Sequence, residues 1–230
     1  MKQYDKEKPL ISLHIPKCGG TSFLAVLKSW FSKNLYMHYF DEKRNNMPRR
    51  HNLKSGLFKR RFKKDICIHG HFNKKRGYGV KDYYPEVDQF ITVLRDPFEM
   101  ALSNYFFAKR QGNNRFRDGR VLRMEDRYRA VNDYLRNHKS YILYHFPDEM
   151  TMENYEEILE QRFVYIGVLE DIQTSVNILA KKLDFPEARV DWENISRRDE
   201  EVLKETKEEF INNHHVEYAI YDFALRSYRR

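Results

Sequence analysis

Leu10-Ile11-Ser12-Leu13-His14-Ile15-Pro16-Lys17-Cys18-Gly19-Gly20-Thr21-Ser22 is the stretch around which the remaining sequence organises itself. Leu10 to His14 is a short, nearly continuous apolar run of the kind that forms a buried strand, and Pro16 to Gly20 carries turn residues. From Thr21 to Phe31 the apolar residues Phe23, Val26, Leu27 and Trp30 fall at helical spacing. A strand, a glycine turn and a helix in that order make an anion site. The glycines let the backbone approach a ligand closely, and unpaired N–H groups at the helix start favour negative charge. Thr21 and Ser22 add hydroxyl donors, and Lys17 brings a mobile positive charge. The plainer reading is a tight turn with a solvent-facing lysine. The segment is not the GxxxxGK[ST] nucleotide loop, because Lys17 precedes the glycines instead of following them.

Working outward, Ile66 to His69, Phe90 to Leu94 and Phe163 to Leu169 read as further strands. Helices are expected over Pro97 to Lys109, Val121 to Arg136, Ile172 to Leu183 and Glu200 to Asn212. The helix at Pro97 has Asp96 as N-cap and Glu99 to complete a capping box. Strands that alternate with helices, without repeats or linkers, predict an α/β fold. The expectation is one domain over residues 1–230 with a central parallel sheet flanked by helices. Ligands of such sheets bind beyond the carboxyl ends of the strands, and the polar residues that stand out in this chain follow strands. Arg95 leaves the third strand, and Ser103 lies about two turns into the next helix; together they suit a phosphate. His69 and His71 follow the second strand and offer a base near neutral pH. A metal pair or a structural histidine are the other readings of those two residues.

Pro16-Lys17-Cys18-Gly19-Gly20-Thr21-Ser22 resembles the PKTGGTS signature of sulfotransferases that use 3'-phosphoadenosine 5'-phosphosulfate (PAPS), with Cys18 in place of the common threonine. Arg95-Asp96-Pro97, with Ser103 and Tyr105, resembles the RDPxxRxxSxY segment of that family, and Met100 stands where the family has arginine. The two motifs lie about 80 residues apart, in the expected order. His69-Gly70-His71 resembles the HGH element of the carbohydrate branch that includes heparan sulfate 2-O-sulfotransferase. The resemblance implies a P-loop-like sulfotransferase fold and PAPS as donor. Lys17, Gly19, Gly20, Thr21 and Ser22 would grip the 5'-phosphosulfate, and Arg95 and Ser103 the 3'-phosphate. Catalytic roles would fall to His71 as base, Lys17 at the leaving oxygen, and His69 orienting His71 or touching substrate, with no metal needed. Tyr165 to Glu170 with Ser175 matches a later family strand and helix, and Arg197 and Arg198 lie where a basic loop covers the nucleotide.

Composition narrows the partners. The 230 residues carry a net charge of +8 and are 41% hydrophobic, with sixteen Phe and sixteen Tyr, which excludes a disordered chain. Lys43 to Lys64 holds ten Lys or Arg and no acid, so an anionic partner is expected. That stretch and Lys109 to Arg129 are read as walls of an acceptor cleft. The acceptor expected is a hydroxyl on a glycan, either neutral or anionic, and no nucleic-acid partner is expected. Cys18 and Cys67 are the only cysteines, and no apolar run reaches the length of a membrane span. A cytoplasmic protein fits both facts, as does a Golgi-luminal catalytic domain cut from a longer parent. Two other function classes remain: a non-catalytic binder of polyanionic glycan or nucleic acid, and an ATP-dependent kinase.

Overall fold

The computed structural model describes residues 1–55, 61–111, 114–115, 121–122, 130–191 and 198–228. Five strands form one sheet: β1 (Leu10–Leu13), β2 (Leu35–His38), β3 (Cys67–Gly70), β4 (Phe90–Leu94) and β5 (Phe163–Val168). They are all parallel, in the spatial order β2-β3-β1-β4-β5. β1 is therefore central. Its register sets Leu13 beside Gly70 of β3 and Thr92 of β4, which brings the carboxyl ends of three strands together. The His14 N–H donates to the Gly70 carbonyl at 2.8 Å, and the Thr92 hydroxyl donates to the Leu13 carbonyl at 2.9 Å, so the junction is tied as well as aligned.

A parallel sheet must be covered on both faces, and alternation along the strands supplies both cores. Leu10, Cys67, Ile91 and Val164 point to one side. There they meet Phe23, Val26 and Leu27 of α1 (Gly20–Phe31) and Val176 and Leu179 of an Ile172–Leu183 helix. Ile11, Leu13, Ile68, Phe90 and Ile166 point to the other side, against Tyr84, Phe146 and Ile220. Besides a single turn at Val80–Tyr83, the longer helices of the described residues are α2 (Pro97–Gln111), α3 (Val131–Arg136), α4 (Tyr155–Arg162), α6 (Lys204–Asn213) and α7 (His215–Tyr228), with Ile172–Leu183 as α5. The Ser175 hydroxyl both donates to the Val168 carbonyl and accepts from its N–H, which fastens α5 to the end of β5. No helix among the described residues is long and apolar enough to cross a membrane.

The expected α/β architecture is present, with three local differences. β2 was not anticipated: it is a four-residue edge strand, Leu-Tyr-Met-His, with a single neighbour and only one buried residue. Of the helix expected over Val121–Arg136, the part from Val131 to Arg136 is helical. Residues 121–122 pair with 114–115, and 123–129 lie outside the described residues. The helix expected from Glu200 starts at Lys204, with Leu203 in an extended conformation ahead of it, and the Glu200 carboxylate is engaged elsewhere. It accepts from the Tyr105 hydroxyl, from Lys109 Nζ and from the Val131 N–H, each at 2.8 Å.

His38, His69, His145 and His214 are buried in this framework, and the first three are held neutral by it. Burial holds His38 down to about 4 and His69 and His145 down to about 3, so all three are neutral when folded. An unfolded histidine titrates near 6.5. Below that pH the unfolded chain takes up protons that the fold refuses, and each such residue costs about 1.4 kcal/mol per pH unit. Denaturant unfolding is thus expected to show stability level above pH 7 and falling steeply between pH 6.5 and 4.5. A level profile across that range would contradict neutral burial of the three rings.

Candidate functional site

The chain between β1 and α1 is shaped by two unusual backbone positions. Lys17 has φ +67° and Gly19 φ +73°, both in the left-handed region. Glycine adopts that region freely, whereas for lysine it costs on the order of 1 kcal/mol and is kept only where the surroundings enforce it. The turn directs the first N–H groups of α1, at Gly20, Thr21 and Ser22, toward the mouth of the β1–β3–β4 junction. Gly20 is required for a second reason: a Cβ there would overlap the imidazole of His14. The Cys18 side chain turns the other way, into the core, where burial raises its thiol to about 12. Its difference from the family threonine thus falls on a packing position.

A cavity of ≈ 700 Å³ opens at this junction. Lys17, Gly19, Gly20, Thr21 and Ser22 line it from β1 and α1, His71 from the end of β3, and Arg95 and Ser103 from β4 and α2. The structure brings all of these sequence-derived residues to one place. His69 is the exception: it is fully buried and does not line the cavity. Its Nδ1 pairs with the Ser12 hydroxyl at 2.9 Å, and its ring packs edge-on to Phe23. His69 nonetheless lies close to His71, because its ring stacks at 5.2 Å on His14, the same ring on which His71 stacks. What His71 bonds to is the backbone of β1's exit: its Nδ1 lies 2.7 Å from the His14 carbonyl oxygen.

That contact sets the tautomer. A carbonyl oxygen only accepts, so Nδ1 carries the proton and Nε2 keeps its lone pair. The His71 ring stacks on His14 at 4.2 Å, and His14 Nδ1 pairs with the Tyr39 hydroxyl at 2.7 Å. Burial lowers the His71 pKa from its ordinary 6.5, with the hydrogen bond to His14 opposing the shift, so the ring is neutral at pH 7. Burial and the neighbouring histidines take His14 further, to about 2.

The opposite wall is cationic. Lys17 is depressed by burial and then by Arg110 and Arg95, which places three positive groups within electrostatic reach of one another. Arg110 belongs to the Lys109–Arg129 segment read as a cleft wall, and Phe107 was not singled out; they follow Ser103 by seven and four residues and so share its face of α2. Arg198 also lines the cavity; Arg197 lies outside the described residues. Glu99 does not complete the expected capping box. Its N–H donates to Asp96 Oδ1 at 2.9 Å, but its carboxylate is taken by Arg198 and, at 3.6 Å, by Arg95, while the Asp96 N–H donates to Glu170. Met100, at the family's arginine position, is buried in the core. Leu169, Ile172 and Val190 make an apolar flank. None of the described residues of the basic stretch 43–64 reaches this cavity. Among the described residues, no group of three or more His, Cys, Asp and Glu side chains is placed to hold a metal ion.

Fold and cavity together define an α/β protein with a cation-lined cavity at the carboxyl end of its central strand. The sequence model of the sulfotransferase family matches residues 3–224, and the chain belongs to that family. No curated protein matches the chain in sequence. Among solved structures it is similar to mouse sulfotransferase SULT7A1 complexed with PAP, at 12% identity and a TM-score of 0.45. That alignment covers 91% of this chain and 64% of the mouse chain, so the protein spans somewhat less than two thirds of that relative's length.

The glycine packed on His14 yields a direct check. Gly20→Ala is expected to push the His14 ring aside and disturb its stack with His71, which would shift the imidazole resonances of both in NMR spectra while far-UV circular dichroism stays unchanged. Unmoved imidazole signals would show that the close approach is not there.

Proposed function

We propose that this protein transfers a sulfuryl group from PAPS to a hydroxyl on a carbohydrate acceptor. The observation that carries the reading is the meeting of two chemistries in one cavity. A histidine held as the Nδ1–H tautomer faces a wall formed by Lys17, Arg95, Arg110 and the N-terminus of α1. The cationic wall suits a ligand with several phosphate charges, and the flank of Leu169, Ile172 and Val190 suits a planar base. A carbohydrate acceptor is supported by the likeness of His69-Gly70-His71 to the carbohydrate branch and by the basic surface.

Each residue then has a role. The N–H groups of Gly20, Thr21 and Ser22 hold the 5'-phosphate end, with Thr21 adding a hydroxyl; the Ser22 hydroxyl already donates to the Asp191 carbonyl at 2.8 Å. Arg95 and Ser103 hold the 3'-phosphate. His71 Nε2 takes the proton of the acceptor hydroxyl as its oxygen bonds to sulfur on the side opposite the departing phosphate oxygen. Lys17 neutralises the charge that this oxygen acquires when the sulfur–oxygen bond breaks. The products are the sulfated acceptor and adenosine 3',5'-bisphosphate (PAP).

Thermal unfolding with PAP, AMP, ADP and ATP with magnesium tests the donor site. PAP at 100 times its dissociation constant is expected to stabilise the fold by about 2.7 kcal/mol, and Arg95→Ala is expected to erase the preference for PAP over AMP. Stabilisation only by ATP with magnesium would replace the reading with a kinase, and an unaltered preference in the Arg95 variant would remove Arg95 from the 3'-phosphate.

The base is tested by rate. His71→Ala is expected to lower transfer by about 10²- to 10⁴-fold while PAP affinity holds within about threefold. The pH profile follows from the two shifts. Transfer needs neutral His71, whose pKa lies below 6.5, and charged Lys17, whose pKa lies below 10.5. Activity is expected to be full at pH 7, falling in acid only below 6.5 and in base before 10.5. An acid limb above pH 7 would contradict His71 as the base.

A further inference from the structure

Lys17 is the cation assigned to the leaving oxygen, yet it makes no ion pair among the described residues. Its ammonium sits instead 3.8 Å from the centroid of the Phe107 ring. Phe107 belongs to α2, one turn beyond Ser103, and its side chain is 41% exposed at the cavity wall. A large apolar side chain that exposed has little packing to contribute. Its position over a cation that Arg95 and Arg110 repel calls for another account.

We propose that Phe107 is a positioning residue whose aromatic face holds the Lys17 ammonium over the cavity in the ligand-free protein and releases it to the anion that binds there. The alternatives at this position would each fail in a specific way. A carboxylate would neutralise Lys17, but it would also repel an incoming phosphate and hold the lysine in an ion pair that must break at every turnover. An aliphatic side chain would leave the ammonium to be driven off by Arg95 and Arg110. The ring quadrupole attracts the cation while carrying no net charge, so the cavity keeps its full positive potential. The interaction is weak enough to yield to a charged oxygen, whose hydrogen bond to an ammonium is stronger. The left-handed backbone at Lys17 contributes to the same end: with φ +67° the residue is fixed at its base, and only the flexible stem is left to be placed.

This role rests on the nucleotide reading for the identity of the anion, but the holding contact can be measured without any ligand. The experiment is NMR of the full chain with lysine labelled at the ε carbon, the Lys17 signal being assigned by its loss in Lys17→Arg. In the ligand-free wild type the Lys17 ε protons are expected to be shifted upfield by the ring current. The shift is expected to persist in Phe107→Tyr and vanish in Phe107→Leu, which keeps the apolar bulk without the π face. The Lys17 pKa is expected to fall by about half a pH unit in Phe107→Leu and to stay at the wild-type value in Phe107→Tyr. Saturating PAP is expected to abolish the upfield shift in the wild type. An unshifted Lys17 signal in the ligand-free wild type, or equal Lys17 pKa values in Phe107→Leu and Phe107→Tyr, would overturn the holding role. A shift that survives PAP saturation would overturn the release. If PAP does not bind at all, the donor reading fails while the ligand-free comparison still decides whether the ring holds the lysine.

Discussion

The parallel pairing of β1 with β3 on one side and β4 on the other is the constraint from which the site follows. Because Leu13 lies level with Gly70 and Thr92, whatever leaves those three strands must share the same few ångströms. Lys17 and the glycine turn come from the first, His71 from the second and Arg95 from the third. A one-residue slip of β3 would reverse the facing of His69 and Gly70, and the bond from His71 to the His14 carbonyl would be lost with it. The Leu13, His14 and Gly70 backbone bonds at the junction therefore support the chemistry as well as the sheet.

Concentrating positive charge in a partly desolvated cavity is costly, and the structure offsets that cost unevenly. Glu99 takes up Arg95 and Arg198, so these two enter the cavity already partnered. Among the described residues, Lys17 has the face of Phe107 instead of a carboxylate. On the other wall, His14, His69, His71 and His145 lie ring to ring within 6.1 Å of a neighbour, and burial keeps them from charging together. A neutral histidine array beside a cationic wall allows one ring to accept a proton without competing with the bound anion. The same burial that stores acid sensitivity in the fold thus keeps His71 unprotonated at neutral pH, as the proposed base requires.

Much of this was legible in the sequence, for identifiable reasons. The turn from Pro16 to Ser22 could be placed because strand, lysine, glycines, hydroxyls and helix occur in the order that an anion site needs. Buried strands such as Phe90–Leu94 were readable from continuous apolar runs, and Asp96 capped its helix as its spacing indicated. Edge strand β2 was not, because an edge strand needs only one paired side and Tyr36 and Met37 give no burial pattern. The two histidines of the HGH element look equivalent in sequence; only the sheet shows that one is sealed in the core and the other faces the cavity. Phe107 could have been found by extending the face of Ser103 along α2, and His14 by its place directly after the first strand. The helix expected from Glu200 begins four residues later because Leu203 is extended, while Glu200 serves a network with Tyr105, Lys109 and Val131 that no local spacing reveals.

The most direct measurement is an amide and imidazole NMR titration of the full chain with PAP. The account predicts that the largest perturbations fall on the Gly20, Thr21 and Ser22 N–H groups at the start of α1, with the His71 ring responding in the same titration and His69 changing little. Perturbations that miss the start of α1, or that cluster on the basic surface of residues 43–55, would contradict an anion site built on the end of β1.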